Sequence, residues 1–107
     1  MTLHEGFYFD ALAEHRAALI AFYASQQSTP SAPAMFKLAV PDALAATGAT
    51  EIALLKGDAR GAYEAMWRAM CHFKGVARYG ALELGATTAA IDGARAMLWR
   101  EKLEGKG

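Results

Sequence analysis

Hydrophobic positions recur along this chain at steps of three and four residues, which is the spacing of one face of an α-helix. The first such stretch predicts a helix from Leu3 to Gln26. Its predicted core face consists of Tyr8, Leu12, His15, Leu19 and Phe22. We expect His15 to be a hydrogen-bonded core histidine, because no cysteine or carboxylate stands beside it at the spacing of a metal site.

The segment after the first helix is harder to interpret. Two prolines between Gln26 and Pro33 predict a loop, because each biases the preceding residue away from helix. Residues 35–56 fit either one helix or two. Pro41 suits the first turn of a helix, and Gly48 either interrupts or ends it. We prefer two short helices here.

Two further helices follow the pair Gly57-Asp58, in which the glycine closes one helix and the aspartate caps the next. The third helix is predicted from Ala59 to Tyr79 and the fourth from Leu82 to Leu103. The core face of the third consists of Ala62, Met66, Ala69, Phe73 and Val76 or Ala77. In the fourth helix, the residues at helical spacing are Leu84, Thr88, Ile91, Arg95 and Leu98.

The pattern predicts an all-α protein, an up-and-down four-helix bundle with one or two extra short helices. A length of 107 residues favours a single domain, 1–107. Hydrophobic residues make up 54% of the chain, and many are alanine, the best helix former, so composition supports the same fold.

Charge and cysteine content narrow the function classes. Eleven basic and eleven acidic residues cancel, which argues against nucleic-acid binding and leaves self-association open. A single cysteine excludes an intramolecular disulfide and favours a reducing compartment. No apolar run approaches the length of a membrane span, and the N-terminus does not resemble a signal peptide. We expect a cytoplasmic protein without a membrane contact.

Standard catalytic patterns are not evident in this sequence. It has no Gly-rich phosphate loop, Ser/His/Asp order or paired carboxylates. We therefore expect no cofactor and no metal, and an enzymatic role at most as a phosphotransfer intermediate.

The third helix carries the candidate chemistry. At 100° per residue, Cys71 falls near the middle of its solvent face and His72 on its flank. Gly75, one turn later, leaves space beside both. The residues predicted to share this face with Cys71 are Arg60, Glu64, Trp67, Lys74 and Arg78.

The run from Cys71 to Ala81 resembles a histidine-phosphotransfer (HPt) domain. That family has a motif of the form His-x-Leu-Lys-Gly-x-Ala, then Gly-Ala, a leucine and an acidic residue. The matching positions here are Lys74, Gly75, Ala77, Gly80, Ala81, Leu84 and Asp92. The resemblance covers the C-terminal half of the chain, and it implies a four-helix bundle that exchanges phosphate with a receiver domain or a histidine kinase.

Two departures from the family pattern decide which role is expected. Counting back from Lys74 places Cys71, not His72, at the phosphoacceptor position, and Gly80 comes one residue early. Either His72 accepts phosphate in a shifted geometry, with Lys74 offsetting the phosphate charge, or the chain is a degenerate member that binds a signalling partner without carrying phosphate. We lean towards the second.

Two other hypotheses remain open. Phe7 and Trp67 predict an apolar surface larger than a small monomer needs, which favours a homodimer or a non-catalytic adaptor. Cys71 beside Lys74 or Arg78 would be a thiol sensor if those cations lowered its pKa.

Overall fold

Four α-helices make up most of the chain that the structure describes. The computed structural model describes residues 3–26 and 33–105, with residues 3–5 described by their backbone only. The helices are α1 (Leu3–Gln26), α2 (Ala34–Lys56), α3 (Ala59–Met70) and α4 (Leu82–Leu98). Two 3₁₀ turns, Cys71–Phe73 and Val76–Tyr79, connect α3 to α4, and a π-helical turn, Trp99–Leu103, extends α4. The prediction of an all-α four-helix bundle is confirmed.

Each helix packs on the next along the chain, and α1 also packs on α4, so the helices form a closed ring with antiparallel neighbours. Side-chain contacts tie the ring together. The Tyr8 hydroxyl donates to the Glu101 carboxylate at 2.6 Å, and Arg16 pairs with Glu51 at 2.6 Å. Burial, together with the adjacent Glu101, raises the pKa of Tyr8 above its usual range.

The core consists of two apolar clusters with buried polar side chains between them. One cluster includes Leu12, Met66 and Ile91, and the other is built around Phe22 and Phe73. The buried polar residues are His15, Thr47, Thr50 and Thr88. The predicted core faces of α1, α3 and α4 are buried, apart from Arg95 and Ala77, which are half-buried.

His15 is the hydrogen-bonded core histidine that the sequence predicts. Its Nε2 lies 3.2 Å from the Ala69 carbonyl oxygen and its Nδ1 lies 3.1 Å from the Thr87 hydroxyl. Because a carbonyl only accepts, Nε2 carries the proton. Burial lowers the pKa of His15, which keeps the ring neutral.

The preference for two short helices in residues 35–56 is wrong, because α2 is continuous. Pro41 is exposed, so its ring lies on the solvent side, and residues buried on either side of it, Val40 and Ala43, hold the helix in the bundle. Packing therefore overrides the local preference of Pro41 and Gly48 to interrupt the helix.

Length and composition also set α2 apart. It is the one described helix long and apolar enough to cross a membrane, so the expectation that no stretch approaches this length is too strong. Seven α2 residues are buried among the other helices, and core helices of soluble bundles have the same composition.

The predicted boundary between α2 and α3 is confirmed. Gly57 adopts a φ of 76°, and the Asp58 N–H donates to the Ala53 carbonyl at 2.8 Å. The Asp58 carboxylate then accepts from the Gly61 N–H at 2.9 Å and caps α3.

Candidate functional site

The run from Cys71 to Ala81, which carries most of the HPt resemblance, lies on the connection between α3 and α4, because α3 ends at Met70 and does not continue to Tyr79 as predicted. Lys74 is extended, with φ −62° and ψ 129°, and Gly75 has a φ of 77°. Gly80, with a φ of 88°, ends the second turn. Glycine adopts such angles readily and costs about 1 kcal/mol inside a helix, so the two glycines favour the break.

Tertiary contacts hold this break in place. Phe73 and Val76 are fully buried, and the Phe73 ring meets Phe22 edge-on with centroids 6.1 Å apart. Gly85 lets the second turn approach α4, since a Cβ there would lie 2.9 Å from the Ala77 Cβ. The His15 Nε2–H donates to the Ala69 carbonyl, one residue before the end of α3.

Cys71 and His72 therefore differ from the predicted arrangement. Cys71 is half-buried at the start of the turn, and its Sγ donates weakly to the Arg68 carbonyl at 3.9 Å, so it does not occupy the middle of an exposed helix face. His72 is exposed, and its ring meets that of Phe73 edge-on at 6.4 Å.

Arg78 fills the space that was expected beside Gly75. Its Nε donates to the Gly75 carbonyl at 3.3 Å, and a Cβ at Gly75 would lie 3.3 Å from the Arg78 guanidinium. The Arg78 guanidinium also lies over the Tyr79 ring, 5.8 Å from its centroid. Arg78 thus occupies the side of Gly75 to which a Cβ would point.

Lys74 begins a row of alternating cations and aromatic rings across α3 and α4, which we call the cation–aromatic ladder. The row contains, in order, Lys74, Trp67, Arg95, Tyr63, Trp99 and Arg60. Lys74 Nζ lies 5.3 Å from the Trp67 ring, and the Arg95 guanidinium lies 5.0 Å from the same ring.

The rest of the ladder follows from Arg95. Its guanidinium lies 3.7 Å from the Tyr63 ring centroid, and its Nε donates to the Tyr63 carbonyl at 2.9 Å. The Tyr63 and Trp99 centroids are 5.2 Å apart, and Arg60 lies over Trp99 at 5.7 Å. At these distances each cation is attracted by the ring face.

None of the ladder cations forms an ion pair with a carboxylate in the described part of the chain. Two exposed carboxylates lie nearby in sequence, Glu64 on α3 and Asp92 on α4. Arg60, Lys74 and Arg95 therefore retain charge and hydrogen-bonding groups that are free to meet an acidic surface.

The chain has no match among protein-family models, curated proteins or solved structures.

A cavity of about 170 Å³ lies behind the turn, between Lys74 and Asp92. The Thr88 hydroxyl at its base is buried and has no hydrogen-bond partner among the described residues. Within residues 3–26 and 33–105, no three His, Cys, Asp or Glu side chains are grouped to hold a metal ion.

The structure brings together three of the predicted site residues, Arg60, Trp67 and Lys74, and keeps Cys71, His72 and Arg78 out of the ladder. Sequence reasoning missed Tyr63, Arg95 and Trp99. One signal for Arg95 was present, since an arginine occupies a core-spaced position in the apolar stripe of α4. Its aromatic partners, Tyr63 and Trp67, stand on α3, and only the packing of the two helices brings them to Arg95.

Proposed function

We propose that the protein is a non-enzymatic binding module of the phosphorelay type, a degenerate relative of HPt domains. It binds an acidic face of a receiver domain or histidine kinase and carries no phosphate. The cation–aromatic ladder is the observation that supports this proposal. It leads directly into the Lys74-Gly75 turn, where the sequence resembles the family.

The ladder has the properties of a binding surface. Trp, Tyr and Arg are the residues most enriched among those that dominate binding energy at protein interfaces. Trp67 and Trp99 are 44% and 37% exposed, so both are available to a partner. Because the rings already position Arg60, Lys74 and Arg95, less side-chain freedom is lost when a partner binds.

The local geometry favours binding over phosphate transfer. Phosphotransfer through histidine calls for an exposed imidazole on a continuous helix, with an open space and a cation beside it. Here α3 ends before Cys71, and Arg78 lies against Gly75. These features support the degenerate version of the two that the sequence left open.

Trp67→Ala tests the ladder, because Trp67 contacts both Lys74 and Arg95. We expect the variant to stay helical and to lose about 1–2 kcal/mol of stability, the value of two partly exposed cation–π contacts. Its affinity for the receiver domain that binds the wild type most tightly should fall at least about tenfold. Biolayer interferometry with a panel of purified receiver domains and kinase dimerisation domains measures this.

Arg68→Ala is the matched control for the ladder. Arg68 is exposed on the same helix but lines the groove towards α2, outside the ladder. It should keep full affinity, whereas added salt should weaken wild-type binding. Equal affinity of the Trp67 variant and the wild type, or no binding by the wild type to any panel member, would contradict the proposal.

Phosphate transfer through His72 is the second candidate, and the exposure of its ring is the observation in its favour. Incubation with acetyl phosphate or a phosphorylated receiver domain should leave the wild-type protein without an acid-labile phosphate, as read by intact-protein mass spectrometry at neutral pH. A label that appears on the wild type and is absent from His72→Gln would establish phosphotransfer and overturn the non-enzymatic proposal.

A further inference from the structure

The side of α2 that faces away from the bundle is apolar along its whole length, and we call it the α2 outer face. Its large side chains are Met35, Leu38, Ile52 and Leu55, which are 68%, 75%, 55% and 76% exposed. Residues between them, such as Ala45, are small. A helix at the surface of a soluble bundle normally carries polar residues on this side, so α2 is apolar on both faces.

Charged side chains on the α2 outer face are few. Asp42 stands in its first half and Lys56 at its end, and both are exposed. Lys37 lies at the edge, with its ammonium 6.0 Å from the centroid of the Tyr23 ring of α1. The face therefore combines a long apolar strip with one carboxylate in its first half and one ammonium at its C-terminal end.

Grooves flank the α2 outer face on both sides. Towards α1, Ile20, Tyr23 and Leu44 line an apolar cavity of about 190 Å³. Towards α3, a second cavity of about 280 Å³ is lined by apolar residues such as Ile52 and by charged side chains, among them Lys56 and Asp58. The face is thus a ridge between two grooves, a shape into which the ridge of another helix fits.

We propose that a second copy of this chain covers the α2 outer face, with the two α2 helices antiparallel about a two-fold axis near Ala49. Ala49 lies midway between Asp42 and Lys56, so this register places each Asp42 opposite the other copy's Lys56. It also brings Ile52 of each copy to within one residue's rise of the small, exposed Ala45 of the other. Such a surface is complementary to itself, as a two-fold dimer requires.

Close approach of the two helices is possible at the crossing point. Gly48 has no side chain, and a Cβ built there meets no atom within 4 Å. Small residues at a helix crossing let the backbones approach, and the larger residues at either end then pack around them.

The overlap of the two α2 helices sets the size of the contact. A two-fold axis near Ala49 pairs residues 42–56 of each copy, a stretch about 22 Å long, whereas Met35 and Leu38 lie beyond the overlap. A strip about 18 Å wide along this stretch covers about 400 Å² per copy, the size of a weak and reversible interface, so the dimer should form at micromolar or higher concentrations.

A second copy fits the face better than a lipid surface does. Helices that lie on membranes carry many Lys and Arg residues along a polar side. In contrast, α2 has no such polar side, because its outer face is apolar and its inner face is packed in the core. The chain's equal numbers of acidic and basic residues also leave little repulsion between copies.

Gly48→Glu tests the interface without disturbing the bundle, because space is open beyond Gly48 and glutamate is a better helix former. Gly93→Glu is the matched control, since Gly93 is exposed on α4 with equally open space. Sedimentation velocity across the micromolar range should show a dimer for the wild type and Gly93→Glu, and a monomer for Gly48→Glu with unchanged circular dichroism.

Charge exchange tests the antiparallel register. Asp42→Lys and Lys56→Asp should each weaken the dimer severalfold, and the double variant should restore it. Three outcomes would overturn the proposal: a wild type that stays monomeric at the highest concentration, a dimer that survives Gly48→Glu, or a monomer that binds phosphatidylcholine–phosphatidylglycerol vesicles through this face. None of these measurements depends on a receiver domain, so their result is independent of the ladder.

Discussion

Replacing Phe73 with alanine is expected to lower the free energy of unfolding by about 3–5 kcal/mol. Phe73 is fully buried, and its ring packs against Phe22 and Phe36 in the core cluster built around Phe22 and Phe73. It is also the residue that anchors the turn between α3 and α4. A domain of this size is stabilised by about 5–15 kcal/mol in total, so the loss would be a large fraction. Urea denaturation followed by circular dichroism measures it.

His72→Ala is the control for Phe73→Ala, because it removes the neighbouring ring from an exposed position. A surface substitution of this kind should change stability by no more than about 0.5 kcal/mol. In Phe73→Ala, tryptophan fluorescence should also change, since the turn holds Lys74 over Trp67. A loss below about 1 kcal/mol in Phe73→Ala would show that the turn is not anchored by this ring.

His15→Ala is expected to cost about 2–4 kcal/mol at neutral pH. The substitution leaves a cavity between the two core clusters and removes the donor to the Ala69 carbonyl and the partner of Thr87. Because these bonds join α1 to α3 and to α4, their loss weakens three of the four helices together. Urea denaturation at about pH 7.5, above the usual histidine pKa, measures the effect.

The same residue should make the stability of the wild type depend on pH. Burial lowers the pKa of His15 in the folded state, so the unfolded chain takes up the proton first as the pH falls. The stabilisation is complete above the unfolded value of about 6.5 and is lost as the pH falls from there through the folded pKa. His15→Ala should show a smaller loss of stability on acidification than the wild type. An unchanged pH profile in His15→Ala would mean that other groups cause the dependence.

The two proposed surfaces lie on different sides of the ring of helices. The ladder belongs to α3 and α4, whereas the α2 outer face belongs to α2, which is diagonal to α4 in the bundle. A dimer through α2 would therefore leave both ladders accessible, and would present two partner-binding surfaces from one assembly.

Local rules in the sequence determined much of the fold. The bounds of α1 follow from its apolar spacing, and the start of α3 follows from Gly57 and Asp58. Both features depend on residues close together in the chain, whose preferences act in the same direction. The buried position of His15 was evident from its place in the apolar stripe.

Tertiary structure decided the features that depend on competition between local preference and packing. The sequence could not show whether Pro41 would divide α2, because the outcome depends on which side of the helix the bundle buries. Nor could it show that α3 would end at Met70, because Phe73 and Gly85 fix the turn only when α1, α2 and α4 are in place.

The residues of the candidate site likewise fall into two groups, those that the sequence indicated and those that only the packing of the helices revealed. The sequence pointed to Trp67 and Lys74, which lie seven residues apart and so share one side of the predicted third helix. Although α3 ends at Met70, the turn still holds Lys74 over the Trp67 ring. Arg95 completes the ladder from α4, and its position over Tyr63 exists only because two helices pack side by side. Periodicity shows which residues share a face of one helix, but only the assembled bundle shows which faces meet and which remain open to a partner.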